Sequence, residues 1–391
     1  MKISIIVGNL ASTGAGRWVC RTFLLAEALQ HLGYSVEMLG YLFGKSNIDL
    51  SQFPYPIHTF PGRNYPQFLS SMWQLHRKIS GDVVYALKPK ISSFGTALFH
   101  KTLTKKPVIL DIDDWELSWF GGDSYRYQPS IRTLMRDILS SQGILRIPDS
   151  PPYIKWIEAY IKRADAITIH TRFIHDRFGG NYVPNGKNLS LFNPALYDPE
   201  ESRKKYGLDP FRVLMFPGAP RPYKGVEDVL EALDMLNWPD LRLVLVGGSP
   251  YDDYDQTLMQ RWSHRIVKLP TFDYSQMPEV VSAAHVLVVP QRDTVATLAQ
   301  FPLKLTDGMA MAKPVIASAV GDIPEILGGT GFLTSPQNPS EIARAIEAVF
   351  GDWERSEVKG QKARQRCQEN YSMECMAESV GRVVESVKPQ N

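Results

Sequence analysis

Cysteine is scarce: Cys20, Cys367 and Cys375 are the three in 391 residues, with neither a paired framework nor a metal-ligand spacing. They fit a reducing, cytosolic setting. Long apolar runs are also missing. None approaches the ~18 residues that a membrane span requires, and the chain enters a strand-like segment at Lys2 without the basic-then-apolar pattern of a signal segment. A soluble, cytoplasmic chain is expected, with room for peripheral contact at the inner face of a membrane. No G-x-S-x-G suggests a serine hydrolase, and no pair of carboxylates from separate segments suggests a glycosidase. The strict G-x-G-x-x-G is absent too, and no acid ends the second strand-like run, which argues against NAD. No cofactor and no nucleic-acid partner is called for.

At 391 residues and 44% apolar, the chain has enough material for about two domains, each with its own core. Net charge is only +2, yet residues 1–195 carry roughly +8 and the rest roughly −6. A basic first half suits a phosphorylated or membrane-borne acceptor, or is ordinary solvated lysine and arginine. Strand-like runs alternate with helical patterns along both halves, as doubly wound parallel sheets require. The candidates are 2–7, 35–39, 83–87, 108–112 and 166–169, then 213–216, 242–246, 266–269, 286–289 and 315–317. Segment 192–210, with three prolines and mixed charge, reads as the linker. The expected division is therefore 1–195, 196–370 and a terminal helical piece, 371–391.

The most informative stretch is 216–225, FPGAPRPYKG. It puts Arg221 and Lys224 three residues apart after a strand, with Gly218 and Gly225 freeing the backbone around them. A guanidinium fork, an ammonium point charge and a helix start are what a diphosphate needs. About 80 residues later, in 301–314, FPLKLTDGMAMAKP, Lys304 and Asp307 fall on one face near the start of a helix. That pairing suits a leaving phosphate and a ribose diol.

Taken together these segments resemble the donor half of retaining GT-B glycosyltransferases of family four. There an R-x-x-K-G element binds the pyrophosphate of a sugar nucleotide, and a later E-x7-E element, running into E-A-M-A-x-G-K-P-V-I-A, handles sugar and ribose. This chain reads DGMAMAKPVIAS, which puts Asp307 at the second acid and Ala299 at the first. The resemblance also includes a branch whose loop reads Pro-Leu-Lys and lacks that first acid. It implies an α/β GT-B fold: two Rossmann-like doubly wound domains facing a cleft, with a C-terminal helix crossing back to the first domain. It also implies catalytic roles for Arg221 and Lys224, and donor contacts from Gly14, Gly16, Gly218, Gly247, Leu269, Leu303, Lys304 and Asp307. The base is expected to be gripped by main-chain groups of 267–270, so no side chain identifies the nucleotide.

In the first half, GNLASTGAGRW follows the first strand. Gly14 and Gly16 let a backbone approach a ligand, and a helix from Arg17 offers free amides, unless the loop is only a tight turn. VILDIDDWE crowds Asp111, Asp113, Asp114 and Glu116 at the end of a strand. Sugar or acceptor binding, structural capping and a divalent-metal site all remain open for them. The resemblance aligns Asp113 with a histidine that contacts the transferred sugar, implies a catalytic role there, and implies no metal. Lys88 and Lys90 are candidate acceptor contacts or exposed turn lysines. Arg17, Asp114, Trp115 and Trp119 complete the acceptor side, since aromatic faces stack on sugars and sit at membrane interfaces. His170 reads as a satisfied buried histidine, and Asn185 with Gly186 as a wall of the cleft.

With no general base in sight, the expected reaction is a retaining hexosyl transfer in which the leaving phosphate takes the acceptor proton. The donor is a nucleotide-diphosphate sugar, UDP-linked first and GDP-linked next. The acceptor is a glycan, a lipid-linked sugar or a small molecule. A sugar-nucleotide hydrolase or epimerase, and a non-catalytic nucleotide-sugar-binding homologue, stand as alternatives.

Overall fold

Apolar runs without polar interruption, such as Val83–Leu87 and Val286–Val289, suit strands covered on both faces. The computed structural model, which describes residues 1–12, 20–44, 53–249 and 252–388, builds two such sheets. The first takes β1 (Lys2–Val7), β2 (Ser35–Leu42), β3 (Ile57–Pro61), β4 (Val83–Leu87), β5 (Val108–Ile112), β6 (Ala166–Ile169) and β7 (Asn181–Tyr182). Its spatial order is β3-β2-β1-β4-β5-β6-β7, all parallel. The second takes β8 (Arg212–Pro217), β9 (Leu241–Val246), β10 (Ile266–Leu269), β11 (Val286–Val289), β12 (Val315–Ser318) and β13 (Phe332–Thr334), in the order β10-β9-β8-β11-β12-β13, again parallel. Each sheet reverses its winding beside its first strand, β1 or β8. Outside the carboxyl ends at that reversal is where α/β sheets leave a crevice for ligands.

Period-two alternation explains how the second sheet is held. Val213 and Met215 of β8 join one core with Val244, Val246, Leu287 and Val289. Leu214 and Phe216 join the opposite core with Leu243, Leu245, Val286 and Val288. Helices therefore cover both faces, and β8 ends rigidly at Pro217.

Three short strands, β3, β7 and β13, lie outside the apolar pattern: each is an edge whose residues are mixed and mostly half-buried or exposed. The chain divides into residues 1–184 with 376–391, and residues 185–375. The boundary thus falls before position 195. Segment 192–210 is no linker: Phe192 is fully buried in a core of the second unit, and Pro199–Lys205 is a helix capped by the Asp198 carboxylate. At the other end a helix runs Met373–Val387, and its residues from Met376 onward belong to the first unit. Within that unit Tyr34 Oη donates to Glu385 at 2.7 Å, and Gly381 lies against the tip of the Leu32 side chain.

Candidate functional site

In the second unit the loop after β8 leaves the sheet at its reversal point. Gly218 adopts φ +111°, and its N–H donates to the Val246 carbonyl at 3.0 Å. One strand over, Gly247 (φ +87°) donates to the Leu269 carbonyl, also at 3.0 Å. These three candidate donor residues thus close the ladder β8-β9-β10 at its carboxyl edge. A short turn, Pro222–Lys224, then leads into the helix Val226–Leu236. Gly225 at the junction has φ +67°, and a Cβ there would fall 1.9 Å from the Pro290 carbonyl oxygen, so only glycine fits. Arg292 holds both first-turn acids of that helix, reaching Asp228 at 2.7 Å and Glu227 at 3.0 Å.

Three cations gather here. Lys224 donates to the Ala219 carbonyl at 3.0 Å, and burial, then the neighbouring Arg221, push its ammonium down to about 8. Lys304 lies on the helix Leu303–Ala310 with its ammonium 4.1 Å from the centre of the Phe216 ring. Burial and the charge of Lys224 hold it well below the ordinary lysine value, and Asp307 offsets them only in part. Arg221 is paired at 2.5 Å with Asp252, an exposed carboxylate that competes with water for it. Two buried lysines with too little counter-charge, beside an arginine, form a site whose electrostatics ask for an anion.

Asp307 is not an open acid. It is ion-paired and hydrogen-bonded with Lys187, a fully buried lysine whose ammonium also lies 4.5 Å from the Phe192 ring and 5.7 Å from that of Tyr274. Burial opposes the Lys187 charge, but Asp307 and Tyr274 outweigh it and hold the group above the usual lysine range. The sequence reading missed Lys187 and Asp252. Lys187 stands directly after the Asn185-Gly186 turn that the reading did single out. Ala299 is fully buried at the end of a short helix, Val295–Leu298. Leu303 opens the helix that carries Lys304 and Asp307, and its carbonyl accepts from Thr306 Oγ1 at 2.9 Å.

In the first unit the acids after β5 go separate ways. Asp111 is buried and receives a two-pronged bond from Arg21, at 2.8 and 2.9 Å, and another from Thr168 at 2.7 Å. Glu116 takes Lys88 at 2.7 Å and Lys90 at 2.8 Å; burial opposes its charge, but these lysines pull it down to about 2. Asp113 faces Lys88 at 3.5 Å and keeps partial exposure. Asp114 receives the Trp119 indole N–H at 3.1 Å, and burial, reinforced by the neighbouring acids, raises its carboxyl. Among the described residues, no group of three or more His, Cys, Asp and Glu side chains converges to hold a metal.

Lys88 and Lys90 are therefore counter-ions of a buried glutamate rather than a free basic face. Trp115 is buried as well: Arg177 covers its ring at 3.6 Å, Gly122 packs against it, and its N–H donates to Glu158 at 3.1 Å. Trp119 stays half-exposed, and His170 is buried. The stretch 115–127 contains two short helical turns, Glu116–Phe120 and Gly122–Ser124. Gly14, Gly16 and Arg17 lie outside the described residues.

Residues 211–352 match the family model described as glycosyl transferases group 1. Over that segment the chain is similar to the group 1 glycosyl transferases. The match covers β8 and its loop, the Lys304 helix and all five remaining strands of the second sheet. One curated relative is the GDP-mannose-dependent monoacylated alpha-(1-6)-phosphatidylinositol monomannoside mannosyltransferase of Corynebacterium glutamicum, 24% identical over 256 residues. The aligned part is 63% of this chain and 65% of that protein, so slightly under two thirds of the relative's length is spanned. Solved structures match the whole chain. Sucrose-phosphate synthase from Thermosynechococcus elongatus gives a TM-score of 0.75 at 20% identity, covering 99% of this chain and 98% of that one. The Anabaena protein HepE, solved with UDP and glucose, gives 0.74 at 16% identity, covering 99% and 100%. The fold class is GT-B.

Proposed function

We propose that the chain is a retaining hexosyltransferase that moves a hexose from a nucleotide-diphosphate sugar to a glycan, lipid-linked or small-molecule acceptor. The observation that carries this reading is the pair of under-neutralised lysines, Lys224 and Lys304, beside Arg221 at the carboxyl end of β8. A diphosphate supplies the missing counter-charge, and the charge that builds on it as the sugar departs strengthens the same contacts. These cations do the work a divalent metal would do, so transfer is metal-independent. No side chain in the cluster is a carboxylate free to act as general base; the departing phosphate oxygen takes the acceptor proton as the sugar–acceptor bond forms on the same face. Asp307, steadied by Lys187, holds the ribose diol, while main-chain groups at Gly218, Gly247 and Leu269 face the nucleotide.

Asp113 in the first unit, partly exposed beside Lys88, accepts hydrogen bonds from sugar hydroxyls, and Asp114 with Trp119 adds an acceptor contact. UDP-sugars lead and GDP-sugars follow; the C. glutamicum relative is GDP-mannose-dependent by its name. The test is turnover of a sugar-nucleotide panel in chelator, with and without cell lipid extract, by the wild type and by Arg221→Ala and Lys224→Ala. Each variant should lose about 2 to 4 kcal/mol of transition-state stabilisation, or roughly 30- to 1000-fold in kcat/KM. Near-wild-type turnover in both variants would overturn the donor site, and donor loss unaffected by any acceptor would make the enzyme a hydrolase.

A further inference from the structure

The helix Ile131–Leu139, in the first unit, is built inside out. Its sequence, IRTLMRDIL, spaces Ile131, Leu134, Met135, Ile138 and Leu139 at i, i+3, i+4, i+7 and i+8, which at about 100° per residue fills an apolar arc of roughly 140°. A globular helix turns such an arc to the core. Here all five side chains are exposed, from 37% for Leu134 to 81% for Ile131. The residue turned inward is Asp137, buried, bonded by Tyr127 Oη at 2.8 Å and by Arg136 at 3.1 Å. The turn that follows the helix packs back on it, since a Cβ on Gly143 would fall 2.1 Å from the Asp137 carbonyl oxygen. Ser130 caps the start, its side chain accepting from Thr133 N–H at 3.2 Å. The helix is thus anchored by its polar side and offers its apolar side outward.

We propose that this helix docks the protein on an anionic lipid surface. Charge complementarity selects that occupant. Arg132 and Arg136 are both exposed and lie at one edge of the apolar arc, where a guanidinium reaches lipid phosphates while its stem stays apolar. Asp137, the helix's one acid, is turned away from that face. Residues 1–184 carry 21 lysines and arginines against 14 acids, a surplus that favours anionic headgroups. Extent argues the same way. Five side chains on one short helix fall far below the roughly 20 to 30 residues per side of a stable protein interface, whereas an interfacial helix needs only to sink its apolar face ~5–10 Å. The inference is independent of the transfer reaction, and it locates membrane contact on a segment separate from Lys88 and Lys90.

The test uses the full chain, sedimented with phosphatidylcholine vesicles containing or lacking about one third phosphatidylglycerol. Wild type is expected to sediment with the anionic vesicles. Leu134→Glu/Ile138→Glu should weaken partitioning more than about tenfold, since two side chains no longer enter the acyl boundary. Arg132→Glu/Arg136→Glu should weaken it about fivefold per arginine at low salt, with the difference closing as salt rises. Leu134 and Ile138 are solvent-facing, so the melt of that variant should match wild type; Arg136 also bonds the buried Asp137, so Arg132→Glu alone is the second reading, expected to keep the wild-type melt and to lose its share of the binding. Wild type left in the supernatant with both vesicle types overturns the proposal. So does a lipid-free dimer, seen by light scattering, that Leu134→Glu/Ile138→Glu dissociates, because a second copy then covers the face.

Discussion

Lys224 carries the proposed donor chemistry in a form that a pH titration can read. Burial and Arg221 push its ammonium down to about 8, against an ordinary value of 10.5. A bound diphosphate favours the charged form and raises that value again. Binding UDP should therefore take up protons from about pH 8 to 10, and affinity should fall as pH rises through 8, by up to about tenfold per unit. The unliganded fold goes the other way, gaining stability over the same window because the unfolded chain keeps its proton longer. Calorimetric titration near pH 9 in two buffers of different ionisation heat measures the uptake; none in wild type, or the same in Lys224→Met, removes Lys224 from the phosphate. Asp307 needs a subtler test than a single alanine. Its loss leaves Lys187 charged, buried and unpaired, which costs about 3–5 kcal/mol and mixes stability into any change in binding. Lys187→Met should cost a similar amount by stranding the carboxylate. The double variant Lys187→Met/Asp307→Asn should recover most of this stability in urea unfolding while UDP affinity stays low. A double variant as unstable as either single one would show that the pair does not hold this corner, and wild-type UDP affinity would take Asp307 off the ribose.

At the scale of elements, the loop after β8 was readable because its signals are local. An apolar run, two glycines and two cations fall within 13 residues, and the structure turns each glycine to positive φ. The central strands and the edge strand β10 were readable for the same reason, whereas β3, β7 and β13 lack an apolar run to mark them. The Lys187–Asp307 pair was not, since 120 residues separate its members and nothing local marks a lysine as buried. Nor was the outward turn of Ile131–Leu139, because an apolar arc gives a helix its stripe without saying which side faces the protein. The two glycines of the β8 loop should differ sharply on substitution. Gly218→Ala meets open space and bears only its backbone strain, about 1–2 kcal/mol. Gly225→Ala adds a clash with the backbone of Pro290 and should lose about 3 kcal/mol or more, along with nucleotide binding. Equal melting temperatures for the two variants would mean that the Gly225 junction relaxes freely and does not fix the cations.

The whole chain consists of two units that each own a parallel sheet, and the second holds two cores of its own. The family match, residues 211–352, falls entirely within the second unit, as do Arg221, Lys224, Lys304, Asp307 and Lys187. A ligand stabilises the structure that forms its site and nothing that can melt without it. Two calorimetric transitions are therefore expected, and UDP at about 100 times its dissociation constant should add about 2.7 kcal/mol to one of them. The Gly225→Ala variant identifies which: it lowers the second unit's transition and should leave the other in place. If UDP raises the transition that Gly225→Ala lowers, the donor site lies where β8 ends. A shift confined to the other transition would move the site to the first unit, and Arg221, Lys224 and Lys304 would then be a cationic cluster with some other anion to hold. A single transition, moved by both the ligand and the substitution, would mean that the units melt as one cooperative body in spite of their separate cores.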